Sequence, residues 1–350
     1  MPSDVAETSA PSPESVGDAR LRPVGRLLRP RPARVVLRPF VPAENGGTAD
    51  GRTKRIVDRV LSLDDDRLAS ELKRVLDSLA CRHGDVERVL RGRFEAQAGS
   101  AVSERAVTPD QALLIGAYFT EEYSFEAAAL FNPSVVPHFD QAGVPEGSLR
   151  LIVSLRAVGE GHVSSIAFRT GLFDGSELTL DEPSGLTVSP QIETVPDATP
   201  DDPGVRLTYR GCEDLSQVVI FPVTRPQRHG IEDLRLTRFT EATGERTYLG
   251  TYTAFSGEGI RQELLRTSDF ETFELTALHG PHSQTKGMAL FPRRLGGRYA
   301  MLGRHDHENI WLLTSDDLYR WQEGQIIVSP RWPWEFIQMG NCGSPIEIDE

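Results

Sequence analysis

The stretch LLRTSDFETFEL, residues 264–275, decides the expected fold because it recurs further along the chain. Residues 311–323 read WLLTSDDLYRWQE, so an apolar strand, a Thr-Ser-Asp turn and an aromatic residue appear twice, with Thr267 and Thr314 separated by 47 positions. The segments GERTYLGTY at 244–252 and GGRYAMLGR at 296–304 also align. A repeat of this length and content is typical of the four-stranded blades of a β-propeller.

The surrounding sequence, from residue 123 to residue 350, is β-rich throughout. Short apolar runs separated by turn signals predict strands. These runs are LRLIVSLRAV (149–158), SSIAFRTGLF (164–173), VRLTYR (205–210), SQVVIFPV (216–223), LRLTRF (234–239), RTYLGTYTAF (246–255), RYAMLGR (298–304) and NIWLLTS (309–315). The pattern favours an all-β propeller over a β-sandwich with a similar number of strands. The last residues, GSPIEIDE, read as the interior of a strand and its turn, so we expect this domain to be C-terminally incomplete.

The N-terminal third has a different pattern. Residues 1–33 are rich in Pro, Ala, Ser and Arg, which predicts a disordered tail. Residues 34–122 are predicted to be one short strand, centred on residues 35–37, followed by a helical extension. Apolar residues recur at helical spacing from Leu68 to Leu79, with Ser62 as the predicted cap, and further helices are expected around Val86–Leu90 and over residues 108–119.

Composition narrows the functional class. The 350 residues carry a formal net charge of −13, which argues against broad binding to nucleic acid or to anionic membranes. The sequence has no apolar run long enough to cross a bilayer, and its first 20 residues lack the basic start and apolar core that are typical of a signal peptide. Three widely separated cysteines, Cys81, Cys212 and Cys342, show no disulfide framework and favour a reducing, cytoplasmic setting.

The candidate chemistry begins with GIEDLRLTRF, at residues 230–239. This stretch places Asp233 beside Glu232 and Arg235. Cleavage of a glycoside needs a carboxylic acid that protonates the departing oxygen, and Asp233 is the candidate. A solvated surface turn is the alternative interpretation of the same residues.

Two further stretches carry polar groups between apolar runs. SLRAVGEGHVSSIAFRTG, residues 154–171, contains Arg156 and Arg169, whose guanidinium groups suit an anion or vicinal hydroxyls. FNPSVVPHF, residues 131–139, places Asn132 before a proline; a turn at a strand edge is expected, and the amide suits a sugar hydroxyl.

Residues 285–312 form a basic set that includes Lys286, Arg304 and His305. His305 and His307 lie on one strand face with no evident third ligand, so no metal site is predicted.

Together these stretches resemble glycoside hydrolase family 130, which contains inverting β-mannoside phosphorylases and related β-mannosidases on a five-bladed β-propeller. The resemblance runs from about Phe125 to Glu350. Its motifs are FNPSVV, SLRAVGEGHVSSIAFRTG, GIEDLR, KGMALFPRRLGGRYAMLGR, ENIWLLTSDDLYRW and GNCGSPIE. The helical stretch with RVVLRPF is similar to the N-terminal extension of the longer members.

The resemblance implies roles for individual residues. Asp233 matches the family's acid, which is thought to act through the 3-hydroxyl of the sugar, and Arg235 is the arginine of the same motif. Arg156 matches an arginine that binds sugar and phosphate, and Lys286 matches a lysine that helps to hold phosphate. Asn132 and Ser165 match positions in the family's pocket.

The sequence also departs from the family. Leu234 stands where many phosphorylases have proline, and TKG replaces a Lys-Asp pairing. The resemblance places the family's phosphate-binding histidine after Glu350. A hydrolase would instead need a carboxylate base, for which Glu347 or Glu335 is the candidate, at roughly 6.5–9.5 Å from the acid.

The sequence therefore predicts a five-bladed β-propeller with an N-terminal helical extension. Its predicted activity is inverting phosphorolysis of β-mannosides to mannose 1-phosphate. The partners are a β-mannoside oligosaccharide and inorganic phosphate, with no other cofactor and with self-association through the helices. A β-mannoside hydrolase and a non-catalytic sugar-binding propeller are the alternatives.

Overall fold

The computed structural model describes residues 27–40, 49–98, 102, 105–195 and 204–348. Residues 1–26 of the predicted tail therefore lie outside the described part. Within residues 27–33 the backbone N–H of Arg31 donates to the carboxylate of Glu126, 3.2 Å away. The described residues are mostly β, as predicted, with four α-helices near the N-terminus.

The helices form one layer with a shared apolar core. They are α1 (Ala49–Leu61), α2 (Asp65–Ala80), α3 (Val86–Gln97) and α4 (Pro109–Tyr118). The predicted apolar face of α2 packs into this core, where Leu68 and Leu72 are buried. The predicted helices are thus confirmed, but the predicted cap is wrong. Asp64 caps α2 by accepting from the N–H of Arg67 at 2.9 Å, whereas the Ser62 hydroxyl donates to the carbonyl of Arg59 in α1.

Nineteen strands follow one another in the described residues. The first ten are β1 (Val35–Pro39), β2 (His83–Gly84), β3 (Thr120–Ser124), β4 (Ala129–Pro137), β5 (Leu149–Val158), β6 (Ser164–Phe173), β7 (Leu178–Leu180), β8 (Thr187–Val188), β9 (Gln191–Val195) and β10 (Gly204–Thr208). The remainder are β11 (Val219–Ile220), β12 (Gly230–Thr240), β13 (Arg246–Phe255), β14 (Ile260–Thr267), β15 (Thr272–Ala277), β16 (Ala289–Leu290), β17 (Tyr299–Gly303), β18 (Ile310–Ser315) and β19 (Glu323–Val328).

Most of these strands belong to three antiparallel units, which we number in chain order. Unit 1 is β4-β5-β6, with β7 and β11 both pairing with β6; unit 2 is β12-β13-β14-β15, extended by β10 and β9; unit 3 is β16-β17-β18-β19. Units 1 and 2 share one parallel residue pair, Gly230 with Ser164. Gly230 has φ +138°, and a Cβ there would lie 2.9 Å from the backbone nitrogen of Ser164, so the junction requires glycine.

The units stack face to face. One core lies between units 1 and 2 and contains Ile152, Phe168 and Tyr252. Another lies between units 2 and 3 and contains Leu249 and Leu313. Because neighbouring side chains along a strand point to opposite faces, unit 2 is buried on both sides. The pair β1-β3 and a small core around Val36 attach the N-terminal layer to unit 1.

The repeat found in the sequence coincides with this arrangement. Thr267 ends the third strand of unit 2, and Thr314 lies in the third strand of unit 3. The second aligned pair covers the second strands of the same units. The described sheets are open, so the β-rich repeat is confirmed, but a closed propeller is not demonstrated.

Two local expectations were wrong. Residues 131–139 are not a turn at a strand edge, because residues 129–137 form β4 with an irregularity inside it. The strand expected over residues 216–223 contains two residues only, since a short 3₁₀ turn precedes it.

Candidate active site

Strands β4 and β12 carry the same irregularity at the same place. In β4 the register passes from Phe131 to Ser134, so residues 132 and 133 face a single residue of β5. In β12 it passes from Glu232 to Arg235, so residues 233 and 234 face a single residue of β13. Both are β-bulges, which redirect a side chain away from the regular alternation.

The first residue of each bulge has left-handed backbone geometry. Asn132 has φ +50° and Asp233 has φ +56°. Asparagine and aspartate tolerate this region better than other non-glycine residues do. The bulges turn both side chains toward each other, and Asn132 Nδ2 donates to Asp233 Oδ1 at 2.5 Å.

Asp233 is held through one oxygen. Arg156 Nη1 lies 3.2 Å from Oδ1, which also accepts from Asn132. The other oxygen, Oδ2, accepts no hydrogen bond from the residues that the structure describes. The Asp233 side chain is 29% exposed, so Oδ2 is available to a bound molecule.

Glu232 points to the same cluster from the strand next to the bulge. Its Oε1 accepts from Arg156 Nη2, and its Oε2 accepts from Lys286 Nζ, both at 2.6 Å. The side chain is only 9% exposed. Arg156 also donates through Nε to Ser164 Oγ at 2.9 Å, so each of the three nitrogen atoms of its guanidinium group has a partner.

Two more arginines approach the cluster around Gly287. Arg235 Nη1 donates to the Gly287 carbonyl at 2.7 Å, and Arg304 Nε donates to the Lys286 carbonyl at 3.2 Å. A Cβ on Gly287 would lie 2.5 Å from Arg304 Nε and 3.2 Å from Arg235 Nη2, so only glycine fits between them. Burial, together with the charge of Arg304, lowers the pKa of Arg235 to about 10.

Neither of these two guanidinium groups forms an ion pair with a carboxylate in the part of the chain that the structure describes. Their hydrogen bonds go to backbone carbonyls. Two like charges held close together are unfavourable by themselves, and an anion bound beside them relieves the repulsion.

A cluster of histidine and tryptophan rings includes His305, the residue that follows Arg304 in the sequence. The rings of His282 and His305 are 4.1 Å apart, and Trp311 lies 4.3 Å from His305. Burial, with a smaller effect of His282, lowers the pKa of His305. Among the described residues there is no cluster of three or more His, Cys, Asp or Glu side chains that could hold a metal ion.

The structure brings together five of the eight predicted site residues, namely Asn132, Arg156, Asp233, Arg235 and Lys286. Ser165 is fully buried, and its hydroxyl has no partner in the described residues; it is the preceding serine, Ser164, that contacts Arg156. Arg169, also singled out in the sequence, is buried against Glu126 at 2.7 Å.

The two glutamates proposed as a hydrolytic base have other partners. Glu347 pairs with Arg293 at 2.5 Å and is 64% exposed. Glu335 accepts from the backbone N–H groups of Arg331 and Trp332 at 2.6 and 3.0 Å. These bonds lower the pKa of both carboxyl groups. Glu347 lines a cleft of about 500 Å³ that also includes Ser134 and Leu236, just beyond the bulges.

The sequence did not indicate that Glu232 bridges Arg156 and Lys286, or that Arg304 lies close to Arg235. Glu232 was noted only as a neighbour of the acid. Its position was the detectable signal, because Glu232 directly precedes the candidate acid in the same stretch of sequence as Arg235. Nothing in the sequence indicated that Lys286, 54 residues away, would reach it.

Comparisons with known proteins agree with the family predicted from the sequence. No family model matches the chain. The chain is 29% identical over 139 residues to the β-1,2-mannobiose phosphorylase of Listeria innocua, an alignment that covers 37% of each protein. It is 30% identical over 159 residues to the 1,2-β-oligomannan phosphorylase of a Thermoanaerobacter species, covering 41% of this chain and 50% of the relative. The chain thus matches half or less of the length of these two curated relatives.

Structural alignments with solved structures give lower identities. The β-1,2-mannobiose phosphorylase of Listeria innocua, in complex with β-1,2-mannobiose, has 18% identity and a TM-score of 0.40, with 65% of this chain and 67% of that chain covered. A structure from a study of mannoside phosphorylases and hydrolases of family GH130 has 18% identity and a TM-score of 0.36, covering 60% and 55%. TM-scores this low establish neither a shared fold nor a shared function.

The curated matches confirm the resemblance to glycoside hydrolase family 130. The chain is similar to two proteins that are named as phosphorylases of β-1,2-linked mannosides. No helix of the described residues has the length and apolar character needed to cross a membrane.

Proposed function

We propose that this protein is an enzyme that cleaves β-mannosidic bonds by phosphorolysis, with inversion, and releases mannose 1-phosphate. The observation that carries the proposal is the pair Arg235 and Arg304, two partly buried guanidinium groups without a carboxylate partner in the described residues, near the candidate acid Asp233. The two curated relatives, both named as mannoside phosphorylases, support the same substrate class.

In this proposal Asp233 supplies the proton. Oδ1 is fixed by Asn132 and Arg156, which leaves Oδ2 to carry the proton and deliver it, through the 3-hydroxyl of the mannose, to the glycosidic oxygen. Protonation in the transition state by a positioned group typically contributes about 10²- to 10⁴-fold to the rate. The carboxylic acid is regenerated when the Asp233 carboxylate takes up a proton from water after the products leave.

The nucleophile is inorganic phosphate. A phosphate oxygen attacks C1 on the face opposite the leaving group, the C1–O bond to the leaving sugar breaks, and the new C1–O bond has inverted configuration. Arg235, Arg304 and Lys286 hold the phosphate in this position. Positive charge that is already in place for an anion costs no reorganisation when the reaction occurs.

The hydrolase alternative needs a carboxylate that activates water. Glu347 and Glu335 are the candidates, but an arginine holds one and two backbone N–H groups hold the other. Because these bonds lower the pKa of both groups, they weaken either glutamate as a base. The positive charges of Arg235 and Arg304 suit an anion, so the arrangement around Arg235 favours phosphate over water as the nucleophile. A non-catalytic sugar-binding propeller was expected to leave Asp233 exposed and outside any cluster, whereas its side chain is 29% exposed and accepts from Asn132 and Arg156.

The proposed architecture is a five-bladed β-propeller in which units 1, 2 and 3 are successive blades. The bulged first strands β4 and β12 then lie side by side, as shown by the contact of Ser134 Oγ with the N–H of Leu236 at 3.0 Å. The last strand of unit 3, β19, exposes Ile326 and Ile327, and the exposed Trp334 follows it. In a propeller, exposed apolar side chains at this edge would pack against a neighbouring blade.

The remaining features of the proposal concern the setting of the enzyme. Inorganic phosphate is its co-substrate, and no other cofactor is required. We place it in the cytoplasm and expect self-association through the helical layer α1–α4.

The test is to incubate the protein with β-mannobioses, with and without phosphate, and to measure mannose 1-phosphate and free mannose. The proposal predicts phosphate-dependent formation of mannose 1-phosphate with α configuration. Free mannose at equal rates in both reactions would show a hydrolase instead, and no turnover of any mannobiose would favour the sugar-binding alternative.

A further inference from the structure

Glu232 is the residue through which all three β-units meet at the candidate site. It lies in β12 of unit 2, contacts Arg156 in β5 of unit 1 and contacts Lys286 just before β16 of unit 3. Both contacts are 2.6 Å long, and each uses a different carboxylate oxygen. A carboxylate accepts two cations in this way without moving, which no neutral side chain of the same size can do.

The two cations have different tasks in the function proposed above. Arg156 reaches Asp233 Oδ1 with one nitrogen while Glu232 holds another. Lys286 is 40% exposed and has a flexible side chain, and Glu232 is the carboxylate that restrains its ammonium group. Without that restraint, Lys286 would lose a fixed position, because a lysine side chain gives up considerable rotamer freedom to hold one geometry.

The charge of Glu232 also matters. It is a nearly buried negative charge in a cluster that includes four cationic side chains, Arg156, Arg235, Lys286 and Arg304. A buried negative charge repels an incoming phosphate, so it weakens anion binding while it orders the groups that bind the anion.

We propose that Glu232 is a positioning residue that orients Arg156 and Lys286 for catalysis at the expense of phosphate affinity. This inference rests on the proposed phosphorolysis. It assigns Glu232 no contact with the reacting atoms. Its effect is transmitted through the two cations that it holds.

The test uses two variants of the full chain. Glu232→Gln keeps the length of the side chain but loses the charge and can accept from only one of the two cations. Glu232→Asp keeps the charge but is one methylene shorter, so it cannot reach both cations from the same backbone position. We expect kcat to fall by about 100-fold in both, as for a misplacement of about 1 Å. Only Glu232→Gln should bind phosphate more tightly, with a Kd and a KM for phosphate roughly threefold or more below wild type.

Calorimetry with inorganic phosphate alone gives a readout that does not depend on turnover. A purely structural role predicts equal losses of kcat in both variants with an unchanged phosphate Kd, and that result overturns the inference, as does wild-type behaviour of Glu232→Gln. If wild type itself fails to form mannose 1-phosphate, the proposed function fails. The positioning role rests on that function and then fails as well, even if Glu232→Gln binds phosphate more tightly. With an active wild type, an unchanged phosphate Kd of Glu232→Gln overturns the positioning role alone.

Discussion

Asn132 and Asp233 occupy the same position in two bulged strands, and the amide of one donates to the carboxylate of the other at 2.5 Å. They are 101 residues apart in sequence. Each is the first residue of a bulge in which two residues face one residue of the neighbouring strand. The repeated strand geometry therefore creates the site, since the same distortion in two adjacent units turns two polar side chains toward one point.

Removing the amide of Asn132 is expected to impair catalysis more than folding. A hydrogen bond to a charged group is worth about 1.5–3 kcal/mol, so Asn132→Gly should lower kcat by about 10- to 100-fold. Asn132→Ala should lower kcat equally, but its free energy of unfolding should be about 1 kcal/mol lower than that of Asn132→Gly, because alanine is strained at φ +50°. Steady-state kinetics and urea unfolding of the two variants check this. Full activity of Asn132→Gly would show that the amide does not position Asp233.

Arg304 is expected to contribute to phosphate binding, although the family resemblance gave it no role. Arg304→Met should raise the KM for phosphate by about 10-fold or more and change the KM for mannobiose much less, because it removes a charge from the proposed anion site. Arg206→Met is the matched control, since Arg206 is 42% exposed and pairs with Glu274 in an outer part of unit 2. Equal effects of the two substitutions would exclude a specific role for Arg304.

A second buried ionic cluster is expected to matter for stability. Glu126 is fully buried and pairs with Arg34, which precedes β1, and with Arg169 in β6. Glu126→Gln leaves two buried guanidinium groups without their counter-charge, so the free energy of unfolding should fall by about 3–5 kcal/mol. Glu121→Gln breaks the partly exposed pair with Arg38 and should cost less than about 1 kcal/mol. Similar midpoints of urea unfolding for both variants would contradict this account of the N-terminal attachment.

The pH dependence of stability is expected to include a contribution from His305. Burial, and to a lesser degree His282, lowers the pKa of His305 below its ordinary value of 6.5. The unfolded chain then takes up the proton first as the pH falls, so the free energy of unfolding contributed by this group is present above pH 6.5 and is lost below it. His305→Gln should show a smaller drop in Tm between pH 7.5 and pH 5.5 than wild type. An identical drop would mean that His305 does not contribute.

Much of the secondary structure could be predicted because its signals are local. The predicted bounds of β5, β6 and β13 agree with the structure, since each is an uninterrupted run of strand-forming residues between turn signals. The helical spacing from Leu68 to Leu79 likewise identified α2. Its cap was wrong because Ser62 and Asp64 are both good capping residues, and only the preceding helix α1 decides between them.

The site could be predicted only in part, and mainly through the family resemblance. A bulge depends on the partner strand, so the sequence around Asn132 indicated a turn. The contact of Glu232 with Lys286 depends on how units 2 and 3 stack, which no local pattern specifies. The family resemblance pointed to Ser165. Adjacent residues on a strand point to opposite faces, and it is Ser164 that shares a face with Arg156 and contacts it.

The most direct test of the central claim is the rate at which Asp233→Asn forms mannose 1-phosphate from a β-mannobiose and phosphate. Asparagine tolerates the left-handed geometry at this position and keeps the size of the side chain, so the fold should be unchanged. Its amide has no acidic proton that it could transfer to the leaving group. The account predicts that kcat falls by about 10²- to 10⁴-fold while the unfolding midpoint stays close to that of wild type. An Asp233→Asn protein that is folded and as fast as wild type would contradict it.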